Sequence, residues 1–150
     1  EGLIVALDCV QDPGNLGTIL RTADAMGARG LLLGAGCADP CAPKPLRAAM
    51  GSIYHIPVWH GNLEQEIGRL AAQGFVCICG HLKGGDTLPN PGKKCVLVIG
   101  NEGSGVSDAI AAQCEKYRLP MYGFAESLNA SVAAGILIYE LARKMRGIEG

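Results

Sequence analysis

The feature that most constrains the fold is an alternation of short apolar runs with helical patterns. The runs lie at residues 3–8, 30–33, 75–79, 95–99 and 117–119, and each is bounded by glycine, proline or aspartate. Short runs that are apolar on both faces are typical of buried parallel strands. The helical patterns lie at residues 15–26, 45–49, 63–73, 108–113 and 129–146. This alternation predicts an α/β fold, an open and mainly parallel sheet with helices on both faces.

Length and composition indicate one globular domain. The chain has 150 residues, of which 49% are hydrophobic and 18% charged, and no apolar run is long enough to span a membrane. The net charge of −1 argues weakly against nucleic acid as a partner, unless the basic groups are concentrated locally. No secretory signal is present and the first residue is not Met, so we expect a piece of a longer cytoplasmic protein.

The seven cysteines do not form a recognisable metal or disulfide pattern. Cys77, Cys79 and Cys95 lie in apolar runs, where we expect reduced, buried thiols of a cytosolic protein. The nearest approach to a metal site is the spacing Cys37-x3-Cys41, with histidines elsewhere in the chain. No C-x-x-C pair exists, and we expect no metal ion.

The last helical pattern is unusual at its start and around its circumference. Ser127, Asn129 and Ser131 offer more hydrogen-bonding groups than capping requires, so part of this cluster is expected to face a ligand. The apolar residues of the helix cover more than one stripe: Leu128, Val132, Ala133, Ile136, Leu137, Ile138, Leu141 and Met145. Such a helix needs cover beyond its own sheet, and a second copy of the chain is the expected cover.

A glycine-rich loop, residues 100–105, follows a strand pattern and precedes a helical one. Ligands of α/β proteins bind at such positions. Val106 stands where a Walker A loop has lysine, and Asp108 stands where the Rossmann fingerprint has its third glycine, so both familiar nucleotide loops are disfavoured. The plainest alternative is a tight turn with a solvated Glu102.

Three segments together resemble the motifs of the SpoU (TrmH-type) RNA 2′-O-methyltransferases, within the SPOUT superfamily. They are residues 11–23, containing Asn15 and Arg21, residues 96–105, and residues 126–136. The resemblance covers nearly the whole chain. It implies a homodimer with a deep C-terminal trefoil knot, S-adenosylmethionine as cofactor, and methyl transfer to a ribose 2′-hydroxyl of RNA.

The resemblance also implies roles for individual residues. The catalytic set would be Asn15, Arg21, Glu102, Ser127 and Asn129, and backbone groups at Ile99, Gly100, Leu119, Met121 and Leu128 would hold the cofactor. Glu102 is a candidate partner for Arg21 or the ribose. Simpler roles stay open: Asn15 as a helix N-cap, Arg21 as a surface charge, and Ser127 with Asn129 as caps.

Two chemical roles for Arg21 are open. The family proposal makes the arginine a general base assisted by an RNA phosphate, although arginine stays protonated far above neutral pH. The alternative is that Arg21 grips the adjacent phosphate and stabilises the developing alkoxide.

A further segment, residues 42–52, is similar to one found in SpoU enzymes that act on large-subunit ribosomal RNA. Lys44 and Arg47 are three residues apart on one helical turn and are expected to meet RNA phosphates. We therefore expect ribosomal RNA rather than transfer RNA, and an N-terminal RNA-binding domain outside this chain. The rival functions are a non-catalytic RNA- or cofactor-binding module and a nucleotide-dependent oxidoreductase.

Overall fold

A computed structural model describes residues 1–148 and contains one six-stranded parallel sheet with helices on both faces. The strands are β1 (Gly2–Leu7), β2 (Gly30–Leu33), β3 (Val58–His60), β4 (Val76–Gly85), β5 (Lys94–Ile99) and β6 (Glu115–Tyr117). The helices are α1 (Pro13–Ala25), α2 (Pro43–Ala49), α3 (Leu63–Ala72), α4 (Asp108–Ala111) and α5 (Ala130–Met145), with a 3₁₀ turn at Ser52–Tyr54. The strand order is β3-β2-β1-β5-β4-β6, and every named pair is parallel. The predicted fold class is confirmed.

The central strands are buried on both faces, which explains their continuous apolar sequence. Along β1, Leu3, Val5 and Leu7 face the core beneath α1 and α5, whereas Ile4 and Ala6 face the core beneath α3 and α4. The two helical layers therefore enclose the sheet completely at its centre. No helix in residues 1–148 has the length and apolar character needed to cross a membrane.

The sequence prediction missed one strand and displaced another. Strand β3 was not predicted because Val58 and Trp59 are only half-buried and the run has three residues. The last strand was predicted at 117–119 but lies at Glu115–Tyr117, because its first two residues are polar and exposed at the sheet edge. The reduced state predicted for Cys77, Cys79 and Cys95 agrees with the structure, where all three are buried free thiols.

Helix α1 starts earlier than predicted, and Asn15 is not its N-cap. Asp12 is the N-cap: its Oδ1 accepts a hydrogen bond from the Asn15 backbone N at 2.9 Å, and Pro13 occupies the first turn. Proline suits this position because its missing N–H would be unpaired there anyway. The plain capping role considered for Asn15 is therefore wrong, and the Asn15 side chain is available for another contact.

Helix α5 buries one face and leaves a second apolar face exposed. Ala134, Leu137, Ile138, Leu141 and Ala142 are buried against the sheet and α1. Val132, Ile136 and Tyr139 are exposed on the other side of the helix. This confirms the apolar character of the helix beyond one stripe, while its cover by a second copy stays a prediction.

Gly17 brings α1 and α2 into close contact, and it provides a test of the packing. A Cβ built on Gly17 would lie 2.5 Å from the Pro45 carbonyl oxygen and 2.6 Å from the Ala48 Cβ. We expect Gly17→Ala to lower the free energy of unfolding by about 1 kcal/mol or more, because overpacking of about 1–3 kcal/mol exceeds the helix propensity gained. Denaturant unfolding monitored by circular dichroism measures this.

Gly68→Ala is the matched control for that substitution. Gly68 also lies inside a helix, but only the Gln113 side-chain tip approaches its Cβ position, at 3.3 Å. It should raise the free energy of unfolding by about 0.5–1 kcal/mol. Equal effects of the two substitutions would contradict the close α1–α2 packing.

Candidate active site

The candidate site lies at the carboxyl ends of the neighbouring strands β1 and β5, where the strand order of the sheet reverses. From β1 the chain passes through α1 to β2 on one side, and from β5 it passes through α4 to β6 on the other. Crevices at such switch points are the usual ligand sites of open α/β sheets. The loop after β1 (residues 8–12) and the loop after β5 (residues 100–107) lie next to each other here.

Asn101 ties these two loops together. Its Nδ2 donates to the Cys9 carbonyl oxygen at 2.7 Å, and its Oδ1 accepts from the backbone N of Gly103 at 2.9 Å and of Ser104 at 3.0 Å. Cys9 has a left-handed backbone with φ of 59°. Non-glycine residues adopt this conformation at some cost, so it is held by surrounding contacts such as the Asn101 bond.

Gly100 allows the second loop to turn tightly enough to form this link. A Cβ at position 100 would lie 2.2 Å from the Gly105 carbonyl carbon and 2.2 Å from the Val106 backbone N. Asn101 and Gly105 also exchange two backbone hydrogen bonds of 3.0 Å. Only glycine fits at position 100 without displacing the loop.

Glu102 binds the first loop through backbone amides rather than through Arg21. Its carboxylate accepts from Gln11 N at 3.1 Å and from Asp12 N at 2.6 Å. Burial raises the pKa of Glu102, but these amides, its own backbone N–H and the Asn15 side chain outweigh burial and hold the pKa below its ordinary value. The suggested Glu102–Arg21 pair does not form, because the carboxylate already has these partners.

Asp8, in the first loop, adds a third link by bonding through its side chain to the backbone of the second loop. Its Oδ2 accepts from the Ser107 backbone N at 2.7 Å, immediately before α4. We call the set Asp8, Asn101 and Glu102 the loop clamp. Two of its three members, Asp8 and Asn101, were not among the predicted site residues. Their position directly after a strand and beside glycine-rich turns is the signal that could have identified them.

Arg21 is exposed on α1 and has no hydrogen-bond or ion-pair partner among residues 1–148. On one side of it α1 contacts α2 at Gly17, and on the other side it contacts α5 at Thr22, whose Cγ2 lies 3.9 Å from the Gly135 Cβ position. Arg21 lies one turn after Gly17 and directly before Thr22 on α1, so its side chain emerges between these two contacts. Its guanidinium is free to bind an anion.

The N-terminus of α5 lies at the same edge of the sheet. Thr18 borders a groove with Ser131 at the start of α5, whereas the end of α5 places Arg146 at Gly27, just beyond α1. The two helices therefore run parallel, and their N-termini point to the same edge. Asn129 caps α5, with its Oδ1 accepting from Ser131 N at 2.9 Å and from Val132 N at 3.3 Å.

The segment before α5 contains several predicted site residues and is held by few contacts. Residues 119–128, which include Ser127, make no hydrogen bond within the described part of the chain. Ser127 is exposed and does not cap α5, so that simple role is wrong for it. The backbone N–H and C=O groups at Leu119, Met121 and Leu128 have no partner among residues 1–148 and are available to a ligand.

Lys44 and Arg47 lie on α2 and are both exposed. The Lys44 Cε lies 3.8 Å from the Gly14 Cβ position, at the first turn of α1. Since α1 also carries Arg21, three cationic groups are brought to the α1–α2 side of the site. The local basic rim stays a prediction, because α1 also carries the acidic residue Asp24.

The spacing Cys37-x3-Cys41 does not gather ligands in the structure. The Cys37 Sγ lies 3.4 Å from the Leu7 carbonyl oxygen, and burial raises the pKa of this thiol. Cys41 is exposed. Residues 1–148 contain no group of three His, Cys, Asp or Glu side chains placed to hold a metal ion.

Comparisons with known proteins agree with this architecture. The SpoU rRNA Methylase family profile matches residues 2–139. The 23S rRNA (guanosine(2553)-2′-O)-methyltransferase RlmP of Bacillus subtilis is 44% identical over 142 residues, covering 92% of this chain and 57% of that protein. The chain thus spans little more than half the length of this curated relative.

Two similar solved structures contain the cofactor AdoMet. An AdoMet-bound rRNA methyltransferase from Sinorhizobium meliloti superposes with a TM-score of 0.87 at 40% identity, covering 99% of this chain and 57% of that one. The SpoU methyltransferase AviRb from Streptomyces viridochromogenes, in complex with AdoMet, gives a TM-score of 0.85 at 33% identity, covering 97% and 61%.

The loop clamp predicts that the Gln11 and Asp12 amides report the charge of Glu102. In NMR spectra we expect both amide signals to titrate with a midpoint below 4.5, the ordinary pKa of the side chain. A carboxyl whose pKa is lowered on folding stabilises the fold above its unfolded pKa and loses that contribution as pH falls through its folded pKa. Acid should therefore loosen this loop.

Glu102→Gln should abolish that titration and accelerate hydrogen exchange at both amides, because a neutral amide oxygen is a weaker acceptor. Glu115→Gln is the control, since Glu115 is an exposed carboxylate on β6. Unchanged exchange at Gln11 and Asp12 in Glu102→Gln would contradict the clamp.

Proposed function

Because the chain belongs to the SpoU rRNA Methylase family, we propose that it is the catalytic domain of an S-adenosylmethionine-dependent RNA 2′-O-ribose methyltransferase. The observation that carries this proposal is the bonding of the loop after β5 to the loop that starts the Arg21 helix. This bonding fixes the glycine-rich loop at residues 100–105 next to the start of the helix that carries the Arg21 guanidinium. The activity is that of the relatives, and it is assigned here to a chain that spans part of their length.

The cofactor would occupy the space between the loop at 99–105 and the segment at 119–128. Gly100 leaves room for close approach, and the unpartnered main chain at Leu119, Met121 and Leu128 offers donors and acceptors for an adenine and a ribose. The Ile99 carbonyl oxygen already accepts from Asp8 N at 2.8 Å, so its second lone pair is the one that remains for a ligand. When bound, S-adenosylmethionine supplies a methyl group activated by its sulfonium charge.

Arg21 would position the methyl-accepting ribose. Methyl transfer would be an in-line displacement: the 2′-oxygen would bond to the methyl carbon as the methyl–sulfur bond breaks and leaves a neutral thioether, and the hydroxyl proton would pass to the adjacent phosphate or to solvent. A guanidinium fork suits the adjacent phosphate and can stabilise the developing alkoxide. Alternatively, Arg21 would act as a base with help from that phosphate. This role is less favourable because arginine stays protonated and does not readily accept a proton.

The remaining polar residues would hold this geometry. Asn15 and Glu102 fix the entry to α1, and Asn129 fixes the start of α5 through its capping bonds. Ser127 is exposed and unpaired among the described residues, so its hydroxyl is free to bind the substrate or Arg21.

We propose ribosomal RNA as the substrate class, with Lys44 and Arg47 binding its phosphates. RlmP acts on 23S rRNA, and it is 44% identical to this chain. Transfer RNA is the alternative, since a tRNA-modifying TrmH/SpoU enzyme of A. aeolicus shares 28% identity with a TM-score of 0.80. We also propose a cytoplasmic location, which buried free thiols favour.

We propose further that two copies of the chain pair through α5, and that the C-terminal segment is knotted as in the family. A groove of about 830 Å³ runs along the exposed face of α5, with Val132, Ile136 and Tyr139 in its wall. The Lys144 Nζ donates to the Leu88 carbonyl oxygen at 3.1 Å, which ties α5 to the loop after β4.

Arg21 provides the direct test of the activity. On transcribed ribosomal RNA with labelled cofactor, we expect Arg21→Ala to lower the rate of 2′-O-methylation by about 10²–10³-fold, the usual effect of removing one preorganised charge-stabilising donor. Arg21→Lys should also lose most activity, because a point charge cannot reproduce the planar fork. Calorimetry should give unchanged cofactor affinity for both variants.

Arg69→Ala is the matched control, since Arg69 is exposed on α3 and pairs with Glu66. It should retain full activity. Failure of the wild-type chain to bind S-adenosylmethionine, or full activity in Arg21→Ala, would refute the proposed function.

Pairing through α5 is tested by Ile136→Glu. Ile136 is 36% exposed, and a charge there would be buried without a partner in the dimer. Sedimentation should show a dimer for the wild type and a monomer for the variant. Leu82→Glu, at an exposed apolar position on β4, should leave the dimer intact, and a monomeric wild type would contradict the pairing.

A further inference from the structure

The segment from α2 through the 3₁₀ turn presents apolar and aromatic side chains beside cationic ones. Met50 is 69% exposed and Tyr54 is 83% exposed, although both are large and apolar. Lys44 and Arg47, one or two turns earlier, are exposed as well. The Tyr54 ring has no aromatic or cationic partner among residues 1–148.

This segment is anchored firmly to α1. Ser52, which is 4% exposed, donates from Oγ to Asp24 Oδ2 at 2.8 Å, and His55 Nδ1 lies 2.7 Å from the same oxygen. The hydrogen bond from His55 and then that from Ser52 hold the pKa of Asp24 below its ordinary value. Tyr54 therefore sits between two anchored residues, and a ligand would find its backbone already ordered.

The anchor also attaches the Tyr54 segment to the helix that carries Arg21. Asp24 is three residues after Arg21 on α1, so the two side chains lie on neighbouring turns of the same face. Tyr54 directly precedes His55, which contacts Asp24.

We propose that Tyr54 is an RNA-binding residue that stacks on an unpaired base of the substrate, while Lys44 and Arg47 hold phosphates of the same strand. This inference rests on the proposed function and names a contact for its substrate. Aromatic rings stack on unpaired bases whatever their identity. The two exposed cations on the preceding helix α2 favour a polyanion over an apolar partner, and the apolar groove expected to receive a second copy lies along α5 instead.

Fluorescence of single-stranded RNA containing 2-aminopurine tests the stacking. We would measure its quenching and affinity with the wild-type chain, Tyr54→Ala, Tyr54→Phe and Leu82→Ala, at 50 mM salt and above. Tyr54→Ala should weaken binding by about 5- to 100-fold, the usual contribution of one stacked base, and should lose the quenching. Tyr54→Phe should retain both, and Leu82→Ala, an 80% exposed apolar control, should match the wild type.

The salt dependence separates stacking from charge. Arg47→Ala should reduce the slope of log affinity against log salt by about 0.7, the value for one phosphate contact on a single strand, whereas Tyr54→Ala should leave the slope unchanged. A fully paired duplex of the same sequence should bind wild type and Tyr54→Ala equally, because its bases are not available to the ring.

Three results would overturn the inference: no binding of single-stranded RNA by the wild-type chain, equal affinity of wild type and Tyr54→Ala, or a change of oligomeric state in Tyr54→Ala during sedimentation. The last result would make Tyr54 part of a contact between copies. Calorimetry with S-adenosylmethionine on the same variants keeps the proposals distinct. If the wild type binds the cofactor normally but Tyr54→Ala leaves RNA affinity unchanged, only the stacking is refuted. If the wild type does not bind the cofactor, the proposed function itself is refuted.

Discussion

The site depends on side chains of one loop bonding to the backbone of another. Where parallel strands end, the backbone groups of the following loops lose their ladder partners and need others. Asn101 and Glu102 supply those partners to residues 9–12, and Asp8 returns one to Ser107. The direction in which α1 leaves the sheet, and with it the position of Arg21, follows from these bonds. The loop clamp therefore converts two flexible connections into one rigid support.

The other half of the site has the opposite character. Residues 119–128 make no hydrogen bond within the described chain, and the Tyr122 and Phe124 side chains are almost fully exposed. Ordering a residue costs about 1–2 kcal/mol of backbone entropy, so a segment like this one gains its final order from what binds it. A firmly bonded half that carries the guanidinium and a half with few internal bonds agree with the proposed methyl transfer, in which a large product must be released. The same division explains why the backbone of 119–128, rather than its side chains, is the expected source of cofactor contacts.

The sheet and its central strands could be predicted from the sequence because burial on both faces leaves a continuous apolar pattern. The edges could not, since Val58–His60 is half-buried and Glu115–Tyr117 begins with two charged residues. Arg21 was identified through its resemblance to a family motif. The partners of Glu102 were not predicted. A carboxylate that accepts hydrogen bonds from backbone amides looks the same in the sequence as one that pairs with arginine. The N-cap of α1 could have been predicted, because Asp followed by Pro is a standard signal for the start of a helix. Asn15 was considered as the N-cap instead of Asp12.

Charge distribution explains how a chain of net charge −1 can serve a polyanionic substrate. Arg21, Lys44 and Arg47 belong to α1 and α2, on the same face of the sheet as α5. Glu64, Glu66 and Asp108 belong to α3 and α4, which cover the opposite face together with Arg69. The first face also carries two acidic residues, Asp24 and Glu140. Exposed charges farther apart than a Debye length, about 10 Å at 0.1 M salt, are largely screened from one another, so RNA at the first face is little affected by acids behind the sheet. Net charge, which adds both faces, is therefore a poor guide to partners for a sheet covered on two sides.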